Sequence, residues 1–262
     1  MSTMKIAIVG YGKMGKMIEQ EALGQGHSIT AIVDPLAREG AGPSGARLFT
    51  SLAEAGDLAG ADAAIEFSQP ATAFSNIKIL AERKIPSVIG TTGWHERLDE
   101  AKLAVEQAGA SLIWASNFSL GVNLFYRIAW YAAQLADSFP EYDAGGFEAH
   151  HNKKLDSPSG TAKTLVDGVL ARMKRKEKAV WDTLDRRPQP EELHFPSLRL
   201  GAVPGTHSLF FDSTADTIEI THTARSREGF AIGAVRAAQW LAGSTPRKGF
   251  YSVDDMLQDI LE

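Results

Sequence analysis

The feature that most limits the possible folds lies near the start of the chain, where the stretch KIAIVGYGKMG joins a β-branched run to an amphipathic segment at residues 13–24. Gly10, Gly12 and Gly15 form a G-x-G-x-x-G pattern between the two. The first glycine permits a tight turn, the second lets the backbone approach a pyrophosphate, and the third allows close packing of helix on strand. The sequence therefore predicts a strand, a phosphate-binding turn and a helix.

This turn is the first predicted cofactor contact, because the N-terminus of a helix attracts phosphate groups. Its predicted cofactor-binding residues are Gly10, Tyr11, Gly12, Lys13, Met14 and Gly15. The alternative is a purely structural glycine turn in another kind of α/β protein. The strand before it and the helix after it favour the cofactor interpretation.

Strand-like and helix-like segments alternate from residue 4 to residue 114. The strand-like segments are KIAIV, SITAIV, ADAAIEF, PSVIG and ASLIW, and the helix-like segments lie at 13–24, 70–83 and 94–108. This alternation is typical of a parallel sheet with helices on both faces. We therefore predict an α/β fold with a doubly wound parallel sheet.

The pattern changes after Asn117, where strands follow one another without intervening helices. We predict helices at 121–138 and 160–175, and strands at 142–150, 196–202, 206–212 and 217–224. This indicates a central α+β domain with an open, mostly antiparallel sheet. The charged stretch at 172–192 is predicted to be an exposed connection.

These patterns predict three segments of domain organisation. Residues 1–121 would form a dinucleotide-binding domain and residues 122–228 a second, substrate-binding domain, and residues 229–262 could return to the first domain through helices at 229–242 and 254–261.

Composition excludes several functional classes. The 262 residues include no cysteine, which rules out disulfides, thiolate nucleophiles and cysteine-based zinc sites. No signal peptide or membrane-spanning run is recognisable. The net charge of −5 argues against general nucleic-acid binding, which needs a basic face. We expect a cytoplasmic protein that binds neither nucleic acid nor membrane.

Three further strand ends carry polar loops, in the stretches EFSQP, GTTG and ASNFS. Ligands of open parallel sheets bind beyond the carboxyl ends of the strands, so these loops should border the cofactor. The predicted contacts are Gly90, Thr91, Thr92, Ser116, Asn117 and Phe118, with Phe118 packing on the nicotinamide ring. Each loop taken alone is equally compatible with ordinary turn and capping chemistry.

Asp34 ends the second strand, where an acidic residue commonly binds the adenosine ribose and favours NADH. The alternative is a simple Asp-Pro turn. Lys13 and Arg38 could instead contact the 2′-phosphate of NADPH. The sequence therefore predicts NADH or NADPH.

A second candidate site lies in EAHHNKKLDSPSGTAKTL, residues 148–165. Ser157 is predicted to cap a helix and Pro158 to occupy its first position. The free N–H groups of Ser159, Gly160 and Thr161 would then form an anion pocket. The preceding His150, His151, Lys153 and Lys154 add donors and positive charge, which suits a small substrate carrying carboxylates.

The same segment offers a proton donor, because hydride delivery to an unsaturated bond leaves negative charge that an acid must quench. Lys154 and His150 are the candidates, whereas Lys153 is equally compatible with a solvated surface lysine. His150 and His151 should point to opposite faces of a strand, although Glu148 and His150 could share one. We predict no metal site.

The stretch EAHHNKKLDSPSGTA closely resembles the E-x-H-H-x-x-K-x-D-A-P-S-G-T-A signature of the bacterial dihydrodipicolinate reductases. The resemblance extends to the glycine turn, EFSQP, GTTG, ASNFSLGVN and EITHTARSREGFAIGAVRAAQWL, and so covers essentially the whole chain. It implies a Rossmann-like domain made from both termini, a central substrate domain whose open sheet builds a homotetramer, and reduction of a cyclic dicarboxylate in lysine and diaminopimelate biosynthesis.

The resemblance also implies residue roles. His150 and Lys154 match the catalytic pair, with Lys154 the proton donor, and His151, Ser159, Gly160 and Thr161 match substrate-binding residues. The family's R-G-G-x-x-G-x-H stretch is altered here, so Arg199 and His207 are expected only to pack within strands. Two rival interpretations remain: an amino-acid dehydrogenase on the same plan, and a cofactor-sensing protein without turnover.

Overall fold

The structure is a computed structural model that describes residues 3–37, 42, 44–243 and 247–261. The chain divides into two compact units, the first formed by Met1–Ser119 with Glu228–Glu262 and the second by Leu120–Arg227. Arg38, a predicted contact of the 2′-phosphate, lies outside the described residues.

The elements before the second unit are β1 (Lys5–Val9), α1 (Lys13–Gly24), β2 (Ser28–Val33), β3 (Arg47–Phe49), β4 (Ala63–Glu66), α2 (Pro70–Glu82), β5 (Ser87–Ile89), a 3₁₀ turn (His95–Arg97), α3 (Leu98–Ala108) and β6 (Ser111–Trp114). The second unit contains α4 (Leu120–Asp137), β7 (Asp143–His150), α5 (Gly160–Leu170), β8 (Lys178–Val180), β9 (Glu192–His194), β10 (Ser197–Arg199), β11 (Thr206–Asp212) and β12 (Thr217–Thr223). The chain then returns to the first unit with α6 (Glu228–Leu241), β13 (Gly249–Ser252) and α7 (Val253–Leu261).

The first unit is built on a parallel sheet whose described strands have the order β13-β6-β5-β4-β1-β2-β3. Its central strands are buried on both faces, as the unbroken apolar runs of their sequences require. The order reverses beside β1, so the glycine turn that follows β1 lies at the switch point where such sheets bind ligands. The predicted doubly wound sheet is confirmed.

The second unit is built on a mixed sheet with the order β12-β11-β7-β9-β8, and β10 pairs with β7. The two long ladders, β11 with β12 and β11 with β7, are antiparallel, and the short ladders of β8, β9 and β10 are parallel. One face packs on α4 and α5 around Phe125, Leu165, Val166, Leu209 and Phe211. The predicted α+β class of this domain is confirmed.

Several elements differ from the predictions. Helix α5 ends at Leu170, before the predicted end at residue 175, and β8 and β9 lie in or beside the stretch predicted to be an exposed connection. The stretch is attached to the sheet through Glu192, which is 2% exposed and pairs with the half-exposed Arg186 at 2.7 Å. The strands β3 and β13 were not predicted, since runs of three or four residues show no clear periodicity.

Among the described residues, no helix combines the length and the hydropathy that crossing a bilayer demands.

Candidate active site

The three glycines of the predicted phosphate turn differ in why the structure needs or allows glycine at each position. Gly10 has φ +90°, and a β-carbon there would lie 2.3 Å from the carbonyl oxygen of Phe67. A β-carbon on Gly15 would lie 2.3 Å from the carbonyl oxygen of Gly10. A β-carbon on Gly12 would meet nothing within 4 Å. Packing therefore requires the first and third glycines, whereas the second leaves open space beside the backbone.

The N-terminus of α1 is free to accept an anion. Gly12 is the N-cap and has no side chain to cap the helix, and the first turn contains no acidic residue. The first N–H groups of a helix lack intrahelical acceptors and carry the positive end of its dipole. Lys13 is exposed at this position. These features suit the phosphates of a dinucleotide.

Asp34 supports the glycine turn directly. Its carboxylate accepts hydrogen bonds from the N–H of Tyr11 at 2.7 Å and from the N–H of Leu36 at 2.9 Å. Tyr11 in turn donates its hydroxyl to the buried Glu19, and burial raises the pKa of Tyr11 to about 12. Asp34 can therefore stabilise the Asp-Pro turn and contact a ribose as well, because its carboxylate at the end of β2 lies beside the glycine turn.

Two of the three polar loops are joined by hydrogen bonds in the first unit. The N–H of Ser68 donates to the hydroxyl of Thr91 at 2.8 Å, and the indole of Trp94 donates to the carbonyl of Thr91 at 2.7 Å. Thr91 is buried, whereas Thr92 is exposed. A β-carbon on Gly90 would lie 2.1 Å from the ring of Phe67, so glycine is needed there to seat that ring.

The third loop places its residues differently from the prediction. Phe118 is 1% exposed, packs 6.2 Å from the ring of Phe67, and touches α6 where a β-carbon on Gly233 would lie 1.7 Å from its carbonyl oxygen. Its side chain is therefore enclosed by protein. Ser116 is exposed and Phe67 is half-buried, so these residues offer the accessible surface.

Glu66 is a fully buried carboxyl group between the loops, at 0% exposure. It accepts hydrogen bonds from the hydroxyl of Ser68 and, at 3.2 Å, from the amide of Asn76. Burial raises the pKa of Glu66, although these neutral donors act in the opposite direction. Burial therefore makes this carboxyl group harder to ionise than an exposed one.

In the second unit, α5 begins at Gly160 and its N-cap is Ser159, whose hydroxyl accepts from the N–H of Ala162 at 3.1 Å. The predicted cap at Ser157 and first position at Pro158 are wrong by two residues. Both serines fit the capping pattern in sequence, and only the extended backbone of Ser159, at φ −68° and ψ 158°, lies next to the helix.

The predicted anion pocket at this helix is smaller than expected. The N–H of Ser159 donates to the carboxylate of Glu148 at 3.1 Å, so it is already used. Within the part of the chain that the structure describes, the N–H groups of Gly160 and Thr161 have no acceptor. A β-carbon on Gly160 would meet nothing within 4 Å. Two free donors and open space therefore remain for a ligand carboxylate.

Glu148 holds together a group of side chains that we name the Glu148 cluster: the buried Glu148, His150, Ser159 and His207, and the partly exposed Ser197 and Arg199. Oε1 of Glu148 accepts from the hydroxyl of Ser197 at 2.7 Å and from Arg199 at 3.2 Å, besides the N–H of Ser159. Burial opposes ionisation, but these bonds and the neighbouring His207 hold the pKa of Glu148 well below its usual range.

His150, a predicted catalytic residue, lies in this cluster. Its Nδ1 is 3.5 Å from Oε2 of Glu148, and its ring meets that of His207 edge-on at 5.2 Å. Burial lowers the pKa of His150 to about 4, although the carboxylate of Glu148 acts in the opposite direction. His150 is therefore a neutral imidazole at neutral pH.

The predicted proton donor, Lys154, lies on the loop between β7 and α5. Its Nζ donates to both carboxylate oxygens of Asp156, at 2.7 and 2.9 Å. This hydrogen bond lowers the pKa of Asp156. Lys153 is exposed and His151 is half-buried. The structure thus gives the two lysines different environments, Lys153 exposed and Lys154 paired with Asp156.

Arg199 and His207 were expected only to pack within strands, and the structure places both against Glu148 instead. Strand register explains this: Arg199 pairs with His150 between β10 and β7, and His207 pairs with Glu148 between β11 and β7. Residues far apart in sequence thereby reach one face of the sheet. The polar residues are visible in the sequence, but nothing in the sequence indicates how β10 and β11 align with β7.

The cluster also brings together ligand atoms of metal-binding type. One atom each from Glu148, His150 and His207 lies within 4.8 Å of the other two. Arg199 donates to the same carboxylate at 3.2 Å, and its charge would oppose a cation there. Electrostatics therefore favours a hydrogen-bonded arrangement over a metal centre.

Comparison with known proteins identifies one family over both units. The profile "Dihydrodipicolinate reductase, N-terminus" matches residues 4–118, and "Dihydrodipicolinate reductase, C-terminus" matches residues 121–257. The 4-hydroxy-tetrahydrodipicolinate reductase of Christiangramia forsetii is 37% identical, over 99% of this chain and 100% of the relative. That of Archaeoglobus fulgidus is 35% identical, over 97% of this chain and 100% of the relative.

Solved structures show the same fold. The dipicolinate-bound dihydrodipicolinate reductase of a Paenisporosarcina species has a TM-score of 0.78 at 21% identity, covering 96% of this chain and 98% of that one. The amine dehydrogenase of Mycobacterium smegmatis has a TM-score of 0.61 at 13% identity, covering 97% and 96% of the two chains. The two-unit plan is thus common to several dehydrogenases.

Proposed function

The chain belongs to the dihydrodipicolinate reductase family, and we propose that it is a 4-hydroxy-tetrahydrodipicolinate reductase of lysine and diaminopimelate biosynthesis. The observation that carries this proposal is the Glu148 cluster with Lys154, next to the free N–H groups of α5. An anion site beside a lysine suits reduction of a dicarboxylate by hydride and proton.

The first unit has the features of a nicotinamide dinucleotide site. The space beside Gly12 and the uncapped N-terminus of α1 fit a pyrophosphate. When bound, the nicotinamide provides the hydride of the reaction. The linked loops at Ser68 and Thr91 position the backbone on the nicotinamide side, together with Gly90, Thr92, Ser116 and Asn117.

We propose that Asp34 determines the preference between NADH and NADPH. Its carboxylate lies beside the turn, hydrogen-bonded to Tyr11, where it can accept hydrogen bonds from ribose hydroxyls and would repel a 2′-phosphate. Lys13 is exposed near the same turn and offers partial compensation. We therefore propose that the enzyme uses both NADH and NADPH and binds NADH more tightly.

The second unit would bind the substrate. The N–H groups of Gly160 and Thr161 can donate to one carboxylate at the positive end of α5, and His151 offers a further donor. Ser159 contributes by capping α5 and fixing these donors in place. The relative from Paenisporosarcina has dipicolinate bound, which is a planar ring with two carboxylates. A ligand of that chemistry matches these donors.

Lys154 is the proposed proton donor. Replacing the 4-hydroxyl of the substrate by hydrogen takes up a hydride and a proton and releases water. A lysine ammonium can provide the proton, whereas His150, with a pKa lowered to about 4, carries none to give at neutral pH. Asp156 holds Lys154 in place through two hydrogen bonds.

The open sheet of the second unit supports the proposed homotetramer. Leu209 and Phe211 of β11 face the helices, so Phe210 points to the opposite face, where it stacks on Phe147 at 6.1 Å. A cavity of about 380 Å³ on this face is lined by Phe147, Phe210 and Pro196, among others. We propose that subunits of a cytoplasmic tetramer associate through this surface.

One experiment tests the function. The protein is mixed with the condensation product of pyruvate and aspartate semialdehyde, and nicotinamide absorbance is followed with NADH and with NADPH. We expect oxidation of both cofactors, inhibited by dipicolinate in competition with substrate. An absence of turnover while the cofactor still binds would instead identify a cofactor-sensing protein, and turnover of an acyclic amino acid would identify an amino-acid dehydrogenase.

A further inference from the structure

The carboxylate of Glu148 has two oxygens in different surroundings. Oε1 accepts from Ser159, Ser197 and Arg199. Oε2 is buried and has no hydrogen-bond donor of ordinary length among the described residues. Its nearest ion-pair neighbours are Nδ1 of His150 at 3.5 Å and Nε2 of His207 at 3.4 Å. One oxygen is therefore saturated, and the other faces two imidazoles.

The imidazole of His150 also has a buried atom without a hydrogen bond. Nδ1 of His150 is also buried without a hydrogen-bond partner in the described chain. Hydrogen bonds of this kind are usually 2.7–3.2 Å long, so a small ring rotation would join the two unsatisfied atoms. A buried charged oxygen left without donors is costly, which favours an N–H rather than a lone pair at Nδ1.

From this geometry we infer that Glu148 is a positioning residue, which fixes a proton on Nδ1 of His150 and leaves Nε2 as a hydrogen-bond acceptor. A role for that acceptor rests on the proposed function, because it requires a substrate bound beside His150. The same oxygen orients His207 through its Nε2. Glu148 thus acts on the reaction only through its neighbours.

Gly205 provides an independent reason to expect a free Nε2. A β-carbon at this position would lie 3.0 Å from Nε2 of His150, and φ of Gly205 is +156°. Any other residue would crowd the nitrogen that the inference leaves open. The carboxylate on one side of the ring and the missing side chain on the other define the direction in which His150 can interact.

The charges around His150 explain why the carboxylate must be so firmly held. Lys154, Arg199 and His207 all disfavour a charge on His150, and Glu148 is the neighbour that favours it. Three donors to Oε1 keep Glu148 ionised in a buried position. The carboxylate can then orient a neutral imidazole without receiving its proton, as in other carboxylate–histidine pairs.

The tautomer can be measured directly in the free protein. Long-range ¹H–¹⁵N NMR of ¹⁵N-histidine-labelled protein reports which ring nitrogen carries the proton, and His150→Gln assigns the signal. We expect the Nδ1–H form of His150 in the wild type. An Nε2–H form would overturn the inference, and this outcome needs no variant of Glu148 to fold.

Glu148→Gln tests the cause. Its side-chain NH₂ would donate to an imidazole lone pair, so we expect His150 to shift toward the Nε2–H form. We also expect kcat to fall about 10²-fold while dinucleotide affinity stays normal, because that site lies in the other unit. An unchanged tautomer in a folded Glu148→Gln protein would contradict the proposed role.

Glu192→Gln is the matched control. Glu192 is another buried carboxylate of the same sheet, 2% exposed, and pairs with Arg186 and Lys178 rather than with histidine. We expect it to affect stability but neither the tautomer nor kcat. Because the NMR measurement uses no substrate, an inactive wild type with the expected tautomer would refute the proposed reaction alone, and an active wild type with the other tautomer would refute only the role of Glu148.

Discussion

Glu66 and Glu148 are both fully buried, one in each unit, and their surroundings shift their pKa values in opposite directions. Burial raises the pKa of Glu66, whose donors Ser68 and Asn76 are neutral. The pKa of Glu148 is lowered despite burial, since His207, the hydroxyls of Ser159 and Ser197 and the backbone N–H of Ser159 act against burial. Burial alone therefore does not decide the direction in which the pKa of a carboxyl group shifts, because the groups that surround the carboxylate can outweigh burial.

The same contrast separates the two ligand sites. The first unit offers its anion site through the bare backbone at Gly12, with no side chain of its own in the way. The second unit places a charged carboxylate at the start of α5, which takes the N–H of Ser159. The first site can bind an anion by backbone alone, and the second depends on a set of oriented side chains.

The largest effect is expected from Gly12→Glu, which tests the backbone site. With φ −76° and no atom within 4 Å of a β-carbon, the position tolerates a side chain, so the fold should be unchanged. The added carboxylate would occupy and repel the pyrophosphate, and calorimetric titration should detect no NADH binding. As a contrast, Gly10→Ala should lower stability, because φ is +90° and the carbonyl of Phe67 is 2.3 Å away. Normal NADH affinity in Gly12→Glu would contradict the phosphate site.

Lys154→Ala tests the side-chain site and should have the next largest effect. Loss of a positioned acid lowers kcat by about 10²- to 10⁴-fold. Dinucleotide affinity, measured by calorimetry, should stay near normal. The neighbouring Lys153, which is exposed, provides the matched control Lys153→Ala, and its kcat should be close to that of the wild type. Equal kcat for wild type and Lys154→Ala would exclude Lys154 as the acid.

The contrast between the sites also explains what could be predicted from sequence. The glycine turn was recognisable because backbone conformation depends on residues adjacent in the chain, as for Gly10 and Gly15. The central strands were recognisable because parallel strands buried on both faces are continuous apolar runs, such as KIAIV. Local chemistry thus predicted the fold class and the first unit's turn.

The Glu148 cluster could not be predicted in the same way. Arg199 and His207 join it through the pairing of β10 and β11 with β7, and a shift of one residue would turn each side chain to the other face. Burial of Phe118 depends likewise on α6, which arrives more than a hundred residues later in the chain. Such contacts are properties of register and packing, which a single sequence does not encode visibly.

Paired substitutions compare the two buried carboxyl groups in terms of stability at neutral pH. Glu148→Gln removes the charge that balances Arg199, and the free energy of unfolding should fall by about 2–3 kcal/mol. This loss is smaller than the one expected on breaking a fully buried ion pair, because Arg199 is partly exposed. Glu66→Gln replaces a carboxyl group whose pKa is raised by burial with a neutral amide of similar shape, and should change stability by less than about 1 kcal/mol. Urea unfolding of both variants provides the measurement. Equal losses would mean that Glu66 is charged in the folded protein.

The smallest effect is expected in how the free energy of unfolding depends on pH through Glu66. Because its pKa in the folded protein is raised above the ordinary value of 4.5, the folded state keeps this proton to a higher pH than the unfolded chain does. Its contribution to stability is therefore complete below about pH 4.5 and is lost as pH rises through the raised pKa. Glu148 has the opposite sign, since its lowered pKa gives stability above that pH which is lost on acidification. Urea unfolding at several pH values gives the free energy of unfolding of the wild type and of Glu66→Gln. As pH increases, the wild type should lose stability relative to the variant. A difference independent of pH would show that hydrogen bonds from neutral groups suffice to keep a buried carboxyl group at its ordinary pKa.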